Sequence, residues 1–175
     1  MTDTIDPKIL EAVLPQCVVS LTWTLKDGQG EVLDVLDEPV EFLLGANDLL
    51  HEMEHALQGK HKGEELSLHF EPETAFGDYD EELVQWVERK DCNADIAEGD
   101  AMLELPGKAD VVLPEDCVWI VTELYPEQVV LDANHPLAGM ALNMDLKIHA
   151  IREARLSEID AGTLGTGFFR MRDVL

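Results

Sequence analysis

An α+β fold built on an antiparallel sheet with one short helix is what the apolar patterning of this chain predicts, and three stretches predict it. From Met144 to Ala150 the side chains alternate strictly, with Met144, Leu146, Ile148 and Ala150 on one face and Asp145, Lys147 and His149 on the other. That is the pattern of a half-buried antiparallel strand. Near the start of the chain, Val19, Leu21, Trp23 and Leu25 alternate with Ser20, Thr22 and Thr24 and run into Asp27-Gly28-Gln29-Gly30, a hairpin signal. Between them, Leu49, Leu50, Met53, Ala56 and Leu57 form a single helical stripe.

In chain order, Ile5, Ile9, Leu10, Val13 and Leu14 lie at near-helical spacing between Pro7 and Pro15, which suits a short amphipathic helix or a docking arm over residues 1–15. The strand from Val19 turns into a second over Glu31 to Asp34, and a separate short run, Val40 to Leu44, ends at Gly45. Asn47 or Asp48 is placed to cap the helix, and Gly59 to end it. Leu66, Leu68 and Phe70 alternate with Ser67 and His69 to make the next strand before Pro72.

Between Asp78 and about Glu127 the character changes to an acidic start followed by short apolar runs: Trp86-Val87, Val111-Val112-Leu113 and Val118 to Val121, separated by turn residues such as Pro106-Gly107. From the residues alone this region reads as a continuation of the same α+β domain or as a small β-rich module set into it. Asn134-His135-Pro136-Leu137-Ala138-Gly139 is too punctuated for helix or strand and reads as a shaped loop. The tail from Leu156 is expected to be flexible, with Phe168-Phe169 an apolar anchor near its end.

Composition narrows the function classes. With 37 acidic against 12 basic residues the formal charge is −25, so the field repels phosphate backbones and anionic lipid heads, and neither nucleic acid nor membrane is an expected partner. The first residues show no cationic and apolar leader pattern, and no apolar run approaches roughly 18 residues. Cys17, Cys92 and Cys117 are odd in number and scattered, as in a reducing compartment, so a cytoplasmic location is expected.

One motif suggests metal chemistry. His51-Glu52-Met53-Glu54-His55 matches HExxH, and His61 falls at the position of a third histidine ligand, which would suit a zinc endopeptidase with Glu52 polarising a bound water. Against it, Gln58 stands where that pattern needs glycine, and the apolar stripe turns Leu50, Met53 and Leu57 inward, leaving His51 and His55 on the polar side. No metal and no cofactor are expected.

The block NHPLAG followed by the alternating strand and IREA resembles the C-terminal strand of SlyD-like FKBP-type peptidyl-prolyl isomerases. So, in order, do VVSLTWTL, GEVLD, FLLG, the helix with its ALQGKHKGEE exit, and FGDYDEELVQ, covering most of residues 16 to 155. The resemblance implies an FKBP-like domain of residues 16–77 and 131–155 interrupted by an insert-in-flap chaperone domain over 78–130, with 156–175 as a tail. It implies an isomerase that speeds proline-limited folding, acts as a monomer on unfolded or proline-containing polypeptides, and holds unfolded chain on the insert. A holdase with little isomerase activity is the alternative.

Carried over position by position, the resemblance implies a catalytic pocket of Trp23, Asp34, Leu50, Phe76, His135, Leu137 and Met144. Leu33, Val40, Phe42, Leu49, Met53 and Leu142 are implied to bind substrate, with the backbone N–H near Leu50 donating to a substrate carbonyl. On the insert, Trp86, Val87, Val111, Val112, Leu113, Trp119 and Ile120 are the candidates for a chaperone surface, half of them being needed for the module's own core. Phe76 replaces a tyrosine usual in the family, and Met53 and Met144 replace aromatic residues, so softer walls and a modest rate are expected. The family's histidine- and cysteine-rich tail has no counterpart after His149.

Overall fold

The computed structural model describes residues 7–107 and 117–166. The strands are β1 (Cys17–Asp27), β2 (Val32–Leu43), β3 (Glu65–Phe70), β4 (Val84–Glu88), β5 (Ala101–Met102), β6 (Trp119–Leu124), β7 (Gln128–Asp132) and β8 (Leu142–Glu153), with helices α1 (His51–Leu57) and α2 (Leu156–Ala161). The chain divides into two compact units, one made of residues up to 78 together with those from 136 onward, the other of residues 79–135.

The first unit is an antiparallel sheet in the order β2-β1-β8-β3. Its central hairpin closes because the Asp27 carboxylate accepts from the backbone N–H groups of Gln29 and Glu31, at 2.9 and 2.8 Å. The two runs expected on either side of Asp37-Glu38-Pro39 are one strand. Leu21 faces Val40 and Trp23 faces Leu36, so β2 carries two more residues than β1 over that interval and bulges out at the sheet edge. Pro39, which has no N–H to give to a ladder, sits in that bulge.

A second bulge corrects the expected alternation of the last strand. Leu142, Met144, Leu146 and Ile148 are buried in turn, but Ser20 pairs with Ala150 while Leu21 pairs with Ile148, which leaves His149 as the extra residue. The phase therefore reverses: Ala150 is exposed and Ile151 is buried.

Residues 8–13 form an extended arm. Leu10 N–H donates to Ile151 O at 2.9 Å, Glu153 N–H to Lys8 O at 2.8 Å, and Val13 N–H to Lys60 O at 2.8 Å. β3 pairs with β8 only from Leu142 to Lys147, so the arm occupies part of the open edge beyond it, and a stretch this short between two prolines gains more from those bonds than from a helical turn. Val13 is buried in the core.

Neither Asn47 nor Asp48 caps α1; Leu50 takes the N-cap position in extended conformation, and no side chain bonds to the cap. Asp48 is instead buried, its carboxylate accepting from the Leu43 N–H at 3.1 Å and the Leu164 N–H at 2.9 Å. The start of the tail is likewise ordered as α2. Arg152 donates to Glu41 and Glu158, and the Glu158 carboxylate reaches back to the Arg155 N–H at 2.8 Å. Ile5 and Phe168 to Arg172 lie outside the described residues.

The second unit is an antiparallel sheet in the order β4-β7-β6-β5 over its own core of Val87, Ile96, Trp119, Val121, Val129 and Leu131. Its two chain ends are tied together: the Asn134 side chain both accepts from the Asp80 N–H and donates to the Asp80 carbonyl, each at 2.8 Å, and Tyr79 Oη donates to Asp132 at 2.9 Å. The expected return to the first unit at residue 131 is therefore too early. β7 pairs with β4 and β6, Leu131 is buried among them, and the return falls at Pro136. Among the described residues no helix is long and apolar enough to cross a membrane.

Candidate functional site

In the first unit, alternation along the strands places Trp23 of β1 and Phe42 of β2 on the same face as Leu142 and Met144 of β8, and α1 covers that face with Met53. The rings of Trp23 and Phe42 are 5.1 Å apart at 34°. Trp23, Phe42, Leu49, Met53, Leu137, Leu142 and Met144 are all buried in one cluster, and Leu33, Val40, Leu50 and Phe76 pack against it half-buried. The result is an apolar floor with an accessible rim.

The one charged candidate in this apolar set is Asp34, whose Oδ2 accepts from Trp23 Nε1 at 2.8 Å. A half-buried carboxylate needs such a donor, and a buried indole N–H needs such an acceptor. The bond fixes the indole plane relative to the strand that carries Leu33.

The loops that carry Phe76 and Leu137 are joined directly, since the Gly139 N–H donates to Gly77 O at 2.8 Å while the Gly77 N–H closes its own turn on Pro72 O at 2.7 Å. Both glycines have positive φ, 80° and 74°, a region that resists any residue with a Cβ. His135 is half-buried and is the last residue of the second unit. Leu36, Ala75 and Met140 also pack against the cluster and were not foreseen. Leu36 was hidden by the bulge, whereas Ala75 and Met140 directly flank the two loops that sequence reading did single out.

The histidines of the HEMEH stretch are exposed, and His61 is paired to Glu64 Oε1 at 3.0 Å through Nδ1. Among the described residues no group of three or more histidine, cysteine or acidic side chains is placed to hold a metal ion.

On the second unit, the candidates separate by face. Trp86 is half exposed and stacks on Tyr125, rings 5.6 Å apart at 19°. The pair borders an open groove of about 1230 Å³ lined also by Arg89, Cys92 and Pro126. Val87 and Trp119 are not surface residues: neighbours on a strand point to opposite faces, so Val87 goes inward as Trp86 goes outward, and Trp119 fills the middle of the small core. Ile120 is half-buried, while Val111, Val112 and Leu113 lie outside the described residues. Tyr125 was not singled out from sequence; a Tyr-Pro step before the β7 strand was the available signal.

A four-stranded antiparallel sheet packed on one short helix through an apolar cluster, with few other helices, has the architecture of the FKBP-like class. A family profile described as FKBP-type peptidyl-prolyl cis-trans isomerase matches residues 12–112. The chain is 34% identical over 149 residues to the FKBP-type peptidyl-prolyl cis-trans isomerase SlyD of Haemophilus influenzae, covering 83% of this chain and 75% of that protein. It is 35% identical over 153 residues to SlyD of Aeromonas hydrophila, covering 86% and 69%, and 30% identical over 149 residues to SlyD of Treponema pallidum, covering 83% and 82%. The chain belongs to the FKBP-type peptidyl-prolyl cis-trans isomerases, as a SlyD-like member.

Proposed function

We propose that the apolar hollow of the first unit receives the proline and the residue before it in an unfolded client and lowers the barrier to rotation about their imide bond. That barrier is about 18–20 kcal/mol and arises from lost amide resonance, so uncatalysed exchange takes tens of seconds or more. In the twisted transition state the carbonyl is less polar than in the planar amide. Moving the bond from water into apolar surroundings therefore raises the planar form relative to the twisted one. Such catalysis needs shape and desolvation, with no nucleophile and no metal.

The observation that carries this reading is the half-buried rim of Leu33, Val40, Leu50 and Phe76 above a wholly buried floor, with Asp34 the one charged group among the candidates. In this reading the Leu50 N–H donates to a substrate carbonyl, and the Trp23–Asp34 bond keeps the floor flat. Phe76 has no hydroxyl to offer, and Met53 and Met144 yield more readily than aromatic rings, which suits a modest rate.

The second unit acts as an insert-in-flap chaperone domain. Its exposed Trp86–Tyr125 pair and adjoining groove support binding of apolar segments of unfolded chain. Three free thiols suit a reducing, cytoplasmic setting, and a monomer suffices for both steps.

Refolding of a proline-limited client beside an aggregation-suppression assay tests both halves. Catalysed refolding is expected, together with suppression that Trp86→Ala with Tyr125→Ala diminishes while isomerisation of a short proline peptide is retained. Suppression with no acceleration of the proline phase would mean a holdase and would overturn the catalytic reading.

A further inference from the structure

Among the described residues, Asp48 is the one buried charged or polar side chain, 1% exposed. It lies three residues before His51, the first residue of the helix, and just ahead of Leu49 in the pocket floor and Leu50 in its rim. Its bonds come from two separated parts of the chain. The Leu43 N–H is local, whereas the Leu164 N–H, at 2.9 Å, and the Thr163 hydroxyl come from the tail more than a hundred residues on.

That tail is itself held in place. α2 is pinned to the sheet by Arg152 between Glu41 and Glu158, Gly162 ends it with φ 69°, and the Thr166 hydroxyl donates to the Glu41 carbonyl. Thr163 also accepts from the Gly165 N–H at 2.8 Å, closing a small turn around the carboxylate. The other end of the loop is secured independently, by the Gly45 N–H donating to Glu54 Oε1 at 2.8 Å. Loop 45–50 is thus clamped at one end by the helix and at the other by the C-terminal segment.

We propose that Asp48 is a positioning residue through which Thr163–Thr166 set the place of Leu49 and Leu50, and with it the affinity for the proline segment. The proposal rests on the pocket assignment above. Without the Thr163 hydroxyl, the buried carboxylate keeps two backbone donors, both on Oδ2, and the loop must shift to hydrate Oδ1. Leu49 and Leu50 move with that shift, so the side of the pocket they form is lost while the sheet behind it stands.

The test uses the full chain with Thr163→Val, Thr163→Ser and, as a control that weakens the separate core of the second unit, Val129→Ala. Thr163 is exposed, so its replacement leaves the core intact. The readouts are KM and kcat for a short proline peptide, at a temperature where every variant is folded, and the amide chemical shifts of Leu49 and Leu50. Thr163→Val is expected to raise KM about fivefold with little change in kcat, and to shift both amides. Thr163→Ser is expected to restore both readouts, and Val129→Ala to leave both unchanged. Unchanged KM and unmoved amides in Thr163→Val, or equal effects in Val129→Ala, would overturn the proposal. Should the unaltered protein not catalyse, the pocket assignment fails by itself, and the Leu49 and Leu50 amides still decide whether the tail positions the loop.

Discussion

At the residue scale, the Trp23–Asp34 bond is the clearest case of a side chain whose chemistry forces its surroundings. Trp23→Phe keeps the ring in the floor but orphans the half-buried Asp34 carboxylate. A loss of about 1 kcal/mol in urea unfolding is expected, together with a higher KM for a proline peptide. Arg152 supplies a second case. Its guanidinium holds Glu158, and with it Glu41, below the ordinary carboxylate range, chiefly through hydrogen bonds, and is itself held further into its charged form. Because those folded-state values are depressed, the stability they contribute is full above the ordinary glutamate value of about 4.3 and is lost as pH falls through the folded values. Arg152→Leu should therefore cost about 2 kcal/mol at pH 7. The gap between variant and unaltered protein should narrow when urea midpoints are compared at about pH 3.5, with Glu158, the better covered of the two, dominating.

At the scale of elements, two bulges and an arm separate the expected sheet from the observed one. Alternation located β1, β3 and β8, because a half-buried strand writes its period of two into the side chains. It failed at His149, where one extra residue reverses the phase with no local signal, and at Asp37–Pro39, where two extra residues interrupt it and Pro39 is the one local sign. The arm misled for another reason. Its apolar spacing suits a helix, yet the decisive partner is the open edge of β8, more than a hundred residues away. Val13→Ala is expected to cost about 2 kcal/mol and to speed hydrogen exchange at Leu10 and Val13, whose N–H groups hold the arm to the body.

At the scale of the whole molecule, the net charge of −25 is the dominant long-range property. Basic unfolded clients should be captured faster than acidic ones at low salt. Raising ionic strength from about 0.01 to 0.15 M shortens the screening length from about 30 to 8 Å, so stopped-flow association rates for the two client types should converge. Equal rates at low salt would mean that binding proceeds without long-range steering.

Local patterning was enough for the antiparallel character of the first sheet and for the short helix α1, since each follows from periodicities that burial imposes on neighbouring residues. The pocket candidates came from the family resemblance, and most of them, Trp23, Phe42, Leu49, Met53, Leu137, Leu142 and Met144, fall in one cluster. Long-range packing settles the rest: β7 belongs to the second unit, Trp119 and Val87 are core and Trp86 surface, and Asp48 answers to the tail and not to its own helix. Those outcomes depend on which distant backbone donors and strand edges are left unpaired once the local elements have formed, and no local pattern encodes that.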